Sequence, residues 1–559
     1  MGIDVESLTG RRATNRWNRV SVGDIFERVT WSFPDKDALV GWSGAFGEPI
    51  FERISYRQAD RYANQIANGL IAKGLNRGDR VLLFCENSVE AYLAKIGIAK
   101  AGMVAVPVNP SLAPDVVEHI ILKTKPRFSI CDLELWERAE SPFRSAGLDL
   151  DVVISIGSGT VDGPVTFADF VTTQLDSEPD LEIHGDDIWQ ILFTSGTTSL
   201  PKGAMMSHTS SMFAAFSFSL TLTRGIRFEC DVKVASFLPV IYHVADQAFT
   251  LPVFISGGTL LIGRRPVPES MAAAITAESV TALWAGSPVM LSALARHLNQ
   301  SVPGTYDFSS LKVIVYGWAA ISPELHDDLK RHCGDDLVAV EIFGQTESIS
   351  CHRFWPDKWP EVFAATAPEH NYVGVPSAML GSMVVDAEGA SLLDKPFVPG
   401  EAVYRSPAVT AGYYLDRTAT EEAFRDGWFH SGDSCVYDEN GLKIMVDRFK
   451  DIVKSGGENV STIRVEAVLH SHPLVEKAAV IGIPDPRWGE AVTAIVIPRG
   501  GAVLDQDELI AFCRERLAGF ETPKSVVFVD ALPETVGGKV LKYKLRAQYG
   551  TESSSQNPD

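Results

Sequence analysis

The sequence has no uninterrupted apolar run of about 20 residues, the length a membrane-spanning helix needs, so no membrane span is expected. Its cysteines are few and scattered. The seven at 85, 131, 230, 333, 351, 435 and 513 form no C-x-x-C pair. An odd, unclustered set argues against a disulfide framework or a zinc site and fits reduced thiols in a cytoplasmic protein. Positive charge is in short supply: Lys and Arg number 50 against 71 Asp and Glu, a net charge of −21. That balance argues against nonspecific nucleic-acid binding and against docking on an anionic membrane, though not against a local basic site for a phosphate. Met1 to Glu6 lack a basic stretch followed by an apolar core, so no signal peptide is expected. Glu6 stands where the myristoylation pattern needs Ser or Thr. No internal repeat interrupts the chain, and no low-complexity tract precedes its Ser-rich tail.

What is present is a long chain of ordinary globular composition. Its 559 residues, 45% of them hydrophobic, exceed what one hydrophobic core accommodates, so two or more domains are expected. Residues 1–20, with few apolar side chains, read as an extended arm. Ala59, Ala63, Ile66 and Leu70 recur at helical spacing within an amphipathic helix over 56–74. Arg80 to Phe84 reads as a strand, 89–101 as a helix and Val104 to Val108 as a strand. The grammar resumes with a strand at 259–262, a helix at 270–278 and a strand at 313–316. A helix at 323–332 follows, with Ser322 as its N-cap and Pro323 at its first position, and then a strand at 337–342. Such alternation predicts parallel α/β layers. From about residue 395 short strands joined by turns take over, with a hairpin-type turn at 438–441. The boundary falls at Asp447. The expected architecture is α/β: a large N-terminal domain, 1–446, with layered parallel-rich sheets and a β-rich subdomain, and a small mobile α+β domain, 447–550. The polar residues 551–559 read as a disordered tail.

One loop stands out. After the apolar Ile191-Leu192-Phe193 comes Thr194-Ser195-Gly196-Thr197-Thr198-Ser199-Leu200-Pro201-Lys202-Gly203. Glycines let backbone N–H groups approach an anion, hydroxyls donate to phosphate oxygens, and lysine adds a point charge. The spacing is not that of a Walker A motif. Taken alone, the segment reads either as a mobile phosphate-holding loop or as a polar surface turn. Two other polar segments, 317–321 and 343–347, also follow strand ends, where ligands sit in open α/β sheets.

Read with Phe343-Gly344-Gln345-Thr346-Glu347, Gly400-Glu401, Trp428-Phe429-His430-Ser431-Gly432-Asp433, Asp447-Arg448, Gly456-Gly457-Glu458-Asn459 and Gly538-Lys539, the chain resembles the adenylate-forming superfamily of acyl-CoA synthetases, peptide-synthetase adenylation domains and luciferases. The likeness spans about 20 to 548, and it displaces the surface-turn reading of the loop. It implies a two-step reaction. A carboxylate attacks the α-phosphate of ATP and pyrophosphate leaves; coenzyme A or an amine acceptor such as an amino acid then takes the acyl group. The resemblance makes ATP, Mg2+ and coenzyme A the expected ligands, with a carboxylic acid as substrate and a monomer or homodimer as the working form. Thr194, Ser195, Gly196, Thr197, Thr198 and Lys202 would grip the β- and γ-phosphates, with Thr194 and Glu347 at the metal. Phe343 would stack on adenine, as only the ring is needed. Gly317, Trp318, Ala319, Glu341, Ile342, Gly344 and Met445 would complete the nucleotide site. Thr346 would donate to the α-phosphate, Asp433 would accept the ribose hydroxyls, and Arg448 would contact ribose or phosphate. Lys539 would bridge the attacking carboxylate and the α-phosphate. Asp447 matches the family's hinge. Lys454, Gly456, Gly457 and Asn459 match positions that meet the adenylate or the pantetheine channel.

One match to the pattern and two departures from it bear on specificity. His243 falls where an aromatic–His pair borders the acid, and is read as lying beside the acyl carboxylate, with a core histidine as the alternative. Asp246 replaces a common glycine, which suggests a polar or reshaped pocket. Trp318 stands in a run of small residues and would narrow the adenine or acyl wall. In the small domain, Thr462 and Arg464 replace the usual Pro and Glu, which bears on its second docking face. Trp284 and the apolar helical segment Phe213 to Phe218 are further pocket candidates, with core packing the default for the latter.

Overall fold

The structure is a computed structural model that describes residues 19–145, 151–157, 165–194, 201–241, 245–368, 370–534 and 540–550. The N-terminal arm, the C-terminal tail and the site candidates Ser195, Gly196, Thr197, Thr198, His243 and Lys539 lie outside the described residues.

Local signals set the first layers. Ser55 and Gln58 form a capping box at the start of the Tyr56–Ala72 helix, satisfying N–H groups that the helix cannot pair internally. Ser88 caps Val89–Lys100, in which every residue is buried. These two helices lie between two sheets, and their side chains join residues from both sheets in one core that includes Ile66, Leu83, Ile96 and Leu260. The 7-stranded sheet is parallel apart from its last pair, where Ile188–Phe193 runs antiparallel to Gly203–Ser207. The phosphate-loop candidate is therefore the connection of a hairpin at the sheet edge.

The 14-stranded sheet changes character along its width. Lys233–Ser236, Ala282–Gly286, Val313–Gly317 and Val338–Gln345 are neighbours in parallel register. Ser348–Phe354 then turns back antiparallel, and the sheet continues antiparallel through Asn371–Pro376, Lys443–Arg448 and Trp428–Tyr437. Ser322 caps Pro323–Cys333 as expected, by accepting from Leu325 N–H.

Beyond residue 450 a 5-stranded sheet carries apolar clusters on both faces, one around Val465, Val480 and Leu509, the other around Ile481, Ile495 and Leu545. Its long hairpin pairs Val475–Asp485 with Gly489–Pro498. Among the described residues no helix is long and apolar enough to cross a membrane.

Candidate active site

The parallel strands of the large sheet bring their carboxyl ends to one edge. Gly286, Gly317-Trp318 and the turn after Phe343 lie side by side there, because Trp284 pairs with Val315 and Gly317 with Ile342. This edge is where an open α/β sheet leaves a crevice for a ligand. Gly317 is required by the close approach: a Cβ on it would lie 2.7 Å from the Ile342 carbonyl oxygen.

Antiparallel pairing then adds charge. Register sets Asp433 opposite Arg448, and Arg448 Nε lies 3.0 Å from Asp433 Oδ1. Gln345 Nε2 donates to Asp433 Oδ2 at 3.3 Å and to the Ser431 carbonyl at 3.4 Å. The Asp433 carboxylate, with Glu347 also nearby, holds the Arg448 guanidinium above its ordinary pKa despite burial. Glu347 Oε1 accepts from Tyr413 Oη at 2.8 Å. Burial, and then Glu347, push the Tyr413 phenol upward. Lys202 Nζ stands 5.0 Å over the Tyr413 ring, within cation–π range. Thr194 N–H donates to the Lys202 carbonyl at 2.9 Å, and Tyr414 N–H to that of Gly203 at 2.8 Å. The base of the loop is thus tied to the segment that carries Tyr413.

Tyr413 thus joins Lys202 to Glu347, Gln345 steadies the Asp433–Arg448 pair, and the charge of Glu347 acting on Arg448 brings the two groups together. These two linking residues went unassigned in the sequence. Gln345 lay inside a recognised motif, whereas nothing local marks Tyr413. Thr346 sits half-buried in the turn beside Glu347. Phe343 is half-buried, its ring 6.2 Å from that of His352, and packs on a cluster that includes Met445. Gly344 and Ala319 are exposed at the edge. Glu341, on the same strand, is buried and pushed up to about 8 by desolvation.

The acid-side candidates form an aromatic wall. Phe249 stacks on Trp284 at 4.2 Å and 16°, and Trp284 meets Trp318 at 5.8 Å and 58°. Asp246, read from sequence as pocket polarity, is instead wholly buried. Its Oδ1 is 3.5 Å from Lys95 Nζ and its Oδ2 accepts from Gln190. Phe218 packs in the core, but Phe213 and Phe216 face outward.

Lys454, Gly456, Gly457 and Asn459 occupy an exposed hairpin in the small sheet, where Lys454 pairs with Asn459. Gly456 and Gly457 have φ of +64° and +88°, the geometry of a tight hairpin turn that favours glycine. Among the described residues no hydrogen bond or ion pair joins the Lys454 or Asn459 side chain to Asp433 or Arg448. Asp447 is buried and committed. Its Oδ1 accepts from Arg448 N–H, and its Oδ2 accepts from both N–H and Oγ1 of Thr462, at 2.7 and 2.6 Å. Lys542 Nζ in turn donates to Thr462 Oγ1 and lies 2.8 Å from Glu466. Burial opposes the Lys542 charge, but Glu466, Asp447 and Asp451 hold its pKa above the usual lysine value.

The donor set suits a nucleotide triphosphate with a hard cation. Among the described residues Glu347 Oε2 carries no hydrogen bond, so one carboxylate oxygen is open to Mg2+, which takes one or two carboxylates plus phosphate oxygens. By contrast, the acidic group Asp24, Glu27 and Glu178 is neutralised by Arg19 and Lys100.

Comparison with known proteins gives the relatives of this chain. The family described as AMP-binding enzyme matches residues 26–414, and the AMP-binding enzyme C-terminal domain matches residues 464–539. A feruloyl-CoA synthase from Amycolatopsis sp is 34% identical over 498 residues, which is 89% of this chain and 94% of that protein. The long-chain-fatty-acid–CoA ligase FadD13 of Mycobacterium tuberculosis is 30% identical, over 94% of this chain and 99% of its own length. Among solved structures, ATP-bound MatB from Rhodopseudomonas palustris superposes with a TM-score of 0.78 at 28% identity, over 95% of this chain and 99% of that one.

Proposed function

The chain belongs to the AMP-binding enzyme family, and we propose that the network joining Lys202, Glu347, Asp433 and Arg448 is the nucleotide half of an AMP-forming acid–CoA ligase. The enzyme activates a carboxylic acid with ATP, releasing pyrophosphate, and passes the acyl group to coenzyme A. In the first step a carboxylate oxygen attacks the α-phosphorus and the bond to the bridging oxygen of pyrophosphate breaks. In the second the thiol sulfur attacks the acyl carbon, its proton is lost, and AMP leaves with the electron pair of the broken bond.

Both reactants of the first step are anions, so positioning and positive charge dominate the barrier. We assign Asp433 to the ribose hydroxyls, since a carboxylate offers two acceptors, and Arg448, paired with it, to a ribose or phosphate contact. Ser195, Gly196, Thr197 and Thr198, with Thr194 and Lys202 at the loop base, are assigned to the departing phosphates. Thr346 and Lys539 are assigned to the α-phosphate, and His243 to the acid. Mg2+, when bound through Glu347, neutralises phosphate charge. Phe343, with Gly317, Trp318, Ala319, Glu341, Ile342, Gly344 and Met445, is assigned to the adenine side.

We take residues 1–446 as the adenylation domain and 447–550 as a mobile domain that turns about Asp447. Lys454, Gly456, Gly457 and Asn459 then come to the adenylate or line the thiol channel as it turns. Cys85, Cys131, Cys230, Cys333 and Cys513 form no disulfide, which favours a reducing compartment. We assign the enzyme to the cytoplasm as a monomer or homodimer.

The observation that carries this reading is the meeting of Lys202, Glu347, Asp433 and Arg448 at the strand carboxyl ends. Pyrophosphate release from ATP and a panel of acids, without coenzyme A, tests the first step, and mass spectrometry after adding coenzyme A tests the second. Pyrophosphate with every acid silent would sink the adenylation reading. Release followed by an amide with an added amino acid, and no thioester, would move the enzyme to the amide-forming reaction.

A further inference from the structure

We propose that Tyr413 is a positioning residue of the nucleotide site: its ring holds the Lys202 ammonium and the Glu347 carboxylate apart, and its hydroxyl engages one Glu347 oxygen so that the other is left for a divalent cation. This rests on the adenylation reading above.

The first observation is a pairing that does not occur. Elsewhere in the fold, cations and carboxylates that come together form ion pairs: Lys100 with Asp60 and Glu178, Arg448 with Asp433, and Lys542 with Glu466. Lys202 and Glu347 both meet Tyr413, Lys202 with its Nζ 5.0 Å over the ring and Glu347 with Oε1 2.8 Å from the hydroxyl. Among the described residues neither forms an ion pair. A direct pair would spend the cation assigned to the departing phosphates and the carboxylate assigned to the metal on each other. A ring face attracts an ammonium without neutralising it, so the charge of the half-buried Lys202 stays available to a phosphate.

The second is how firmly the ring is placed. Ala411 N–H donates to the Met205 carbonyl at 3.0 Å, Met205 N–H to that of Gly412 at 2.9 Å and Tyr414 N–H to that of Gly203 at 2.8 Å. Residues 411–414 therefore line the strand Gly203–Ser207, with Ala204 opposite Tyr413. Tyr413 N–H donates to Thr420 Oγ1 at 2.9 Å. On the other side Thr410 N–H donates to the Glu347 carbonyl at 2.7 Å. One short segment thus holds the backbone of both charged elements, the strand that follows Lys202 and the turn that carries Glu347. Its tyrosine is 8% exposed, which leaves the ring little freedom.

The third is the direction of the hydrogen bond. An ionised carboxylate only accepts, so the phenol is the donor, and burial together with Glu347 keeps it protonated. Oε1 is thereby committed and the rotation of the carboxylate is fixed. Mg2+ demands near-ideal octahedral geometry from one or two carboxylates plus phosphate oxygens, so a carboxylate already oriented has less freedom to lose when the cation arrives.

Tyr413→Phe keeps the ring and removes the hydroxyl, whereas Tyr413→Leu removes both, and two binding measurements without turnover separate their effects. The first is uptake of Mn2+ in the presence of α,β-methylene-ATP, followed by loss of the free-ion electron paramagnetic resonance signal. Tyr413→Phe should weaken it by about 10-fold, the low end of what a hydrogen bond to a charged group is worth. The second is calorimetric binding of ATP with metal removed by EDTA. Tyr413→Phe, which keeps the spacer, should match the wild type. Tyr413→Leu lets Lys202 close on Glu347 and should bind ATP about 2- to 5-fold more weakly, the worth of a partly exposed ion pair. Adding Glu347→Gln should then strengthen metal-free ATP binding more in the Tyr413→Leu enzyme than in the wild type, because only there does it release Lys202; a merely structural tyrosine would give the same gain in both. An unmoved Mn2+ affinity in Tyr413→Phe, or equal gains from Glu347→Gln in the two backgrounds, overturns the proposal, and the Mn2+ result decides it should Tyr413→Leu fail to fold. A wild type that binds neither ATP nor Mn2+ with the analogue defeats the nucleotide-site reading itself, whereas one that binds both while the variants do not respond defeats this inference alone.

Discussion

Replacing Glu341 with Gln should change how stability depends on pH, and the change can be worked from its surroundings. Glu341 sits on Val338–Gln345 between Tyr316 and Phe354 in the sheet register. It is 2% exposed and, among the described residues, has no ion-pair partner. Desolvation raises its pKa from 4.5 to about 8. The folded protein therefore keeps this carboxyl protonated over a range in which the unfolded chain ionises it. Protons are then bound more by the folded state, so stability falls as pH rises from about 4.5 toward 8, and is level beyond. At about 1.4 kcal/mol per pH unit, the loss between pH 5 and pH 8 is on the order of 3–4 kcal/mol. Glu341→Gln cannot ionise and lacks this loss. The gap in unfolding free energy, variant minus wild type, should thus widen by that amount from pH 5 to 8 and stay constant from 8 to 9. Urea unfolding followed by tryptophan fluorescence reports the large sheet, since Trp488 is the sole tryptophan beyond Asp447. Other titrating groups cancel in the difference. A gap that does not move between pH 5 and 8 would refute the argument that burial dominates this carboxyl, and a gap that narrows would reverse its sign.

Two further substitutions probe pairs that the fold brings together. Thr462→Pro removes both the N–H and the hydroxyl that Asp447 Oδ2 accepts, and should destabilise by about 2–5 kcal/mol, since hydrogen bonds to charged groups are worth roughly 1.5–3 kcal/mol each; Thr462→Ser should lose under about 1 kcal/mol by calorimetry, and equal losses would be contrary to the latch. Asp246→Asn leaves Lys95 buried without a counter-charge and should cost about 3–5 kcal/mol, while the pair Lys95→Met with Asp246→Leu should recover most of it in a double-mutant cycle; an additive cycle would show that the two groups do not interact.

Much of the framework could be read from local pattern. The helix and strand alternation, the Ser322-Pro323 start and the hairpin turn at 438–441 all express short-range chemistry. So does the loop after Phe193, whose hydroxyls and glycines mark it before any partner is known. What was hidden depends on which distant strands become neighbours. Asp433 and Arg448 are separate motif residues until register makes them a pair, and Tyr413 carries no local signal because its role is to join Lys202 to Glu347 across the hairpin edge. Phe213 to Phe218 read as core because helical periodicity tells which residues share a face, not which face is covered; Phe218 is covered and Phe216 is not.

The departures from the family pattern show the same limit from the other side. Asp246 in a glycine's place looked like pocket polarity, yet its partner Lys95 is about 150 residues earlier, and together they form a buried pair behind the wall. Thr462 in a proline's place looked like a loss of docking surface. In the folded chain it supplies the two donors that a proline lacks, both to the Asp447 carboxylate, and it accepts from Lys542 on the far helix of the small unit. Arg464 in a glutamate's place finds Glu521 at 3.1 Å. Each substitution thus comes with a partner whose charge or geometry fits it. A changed motif position is better read together with its neighbours in space than as the loss of a function.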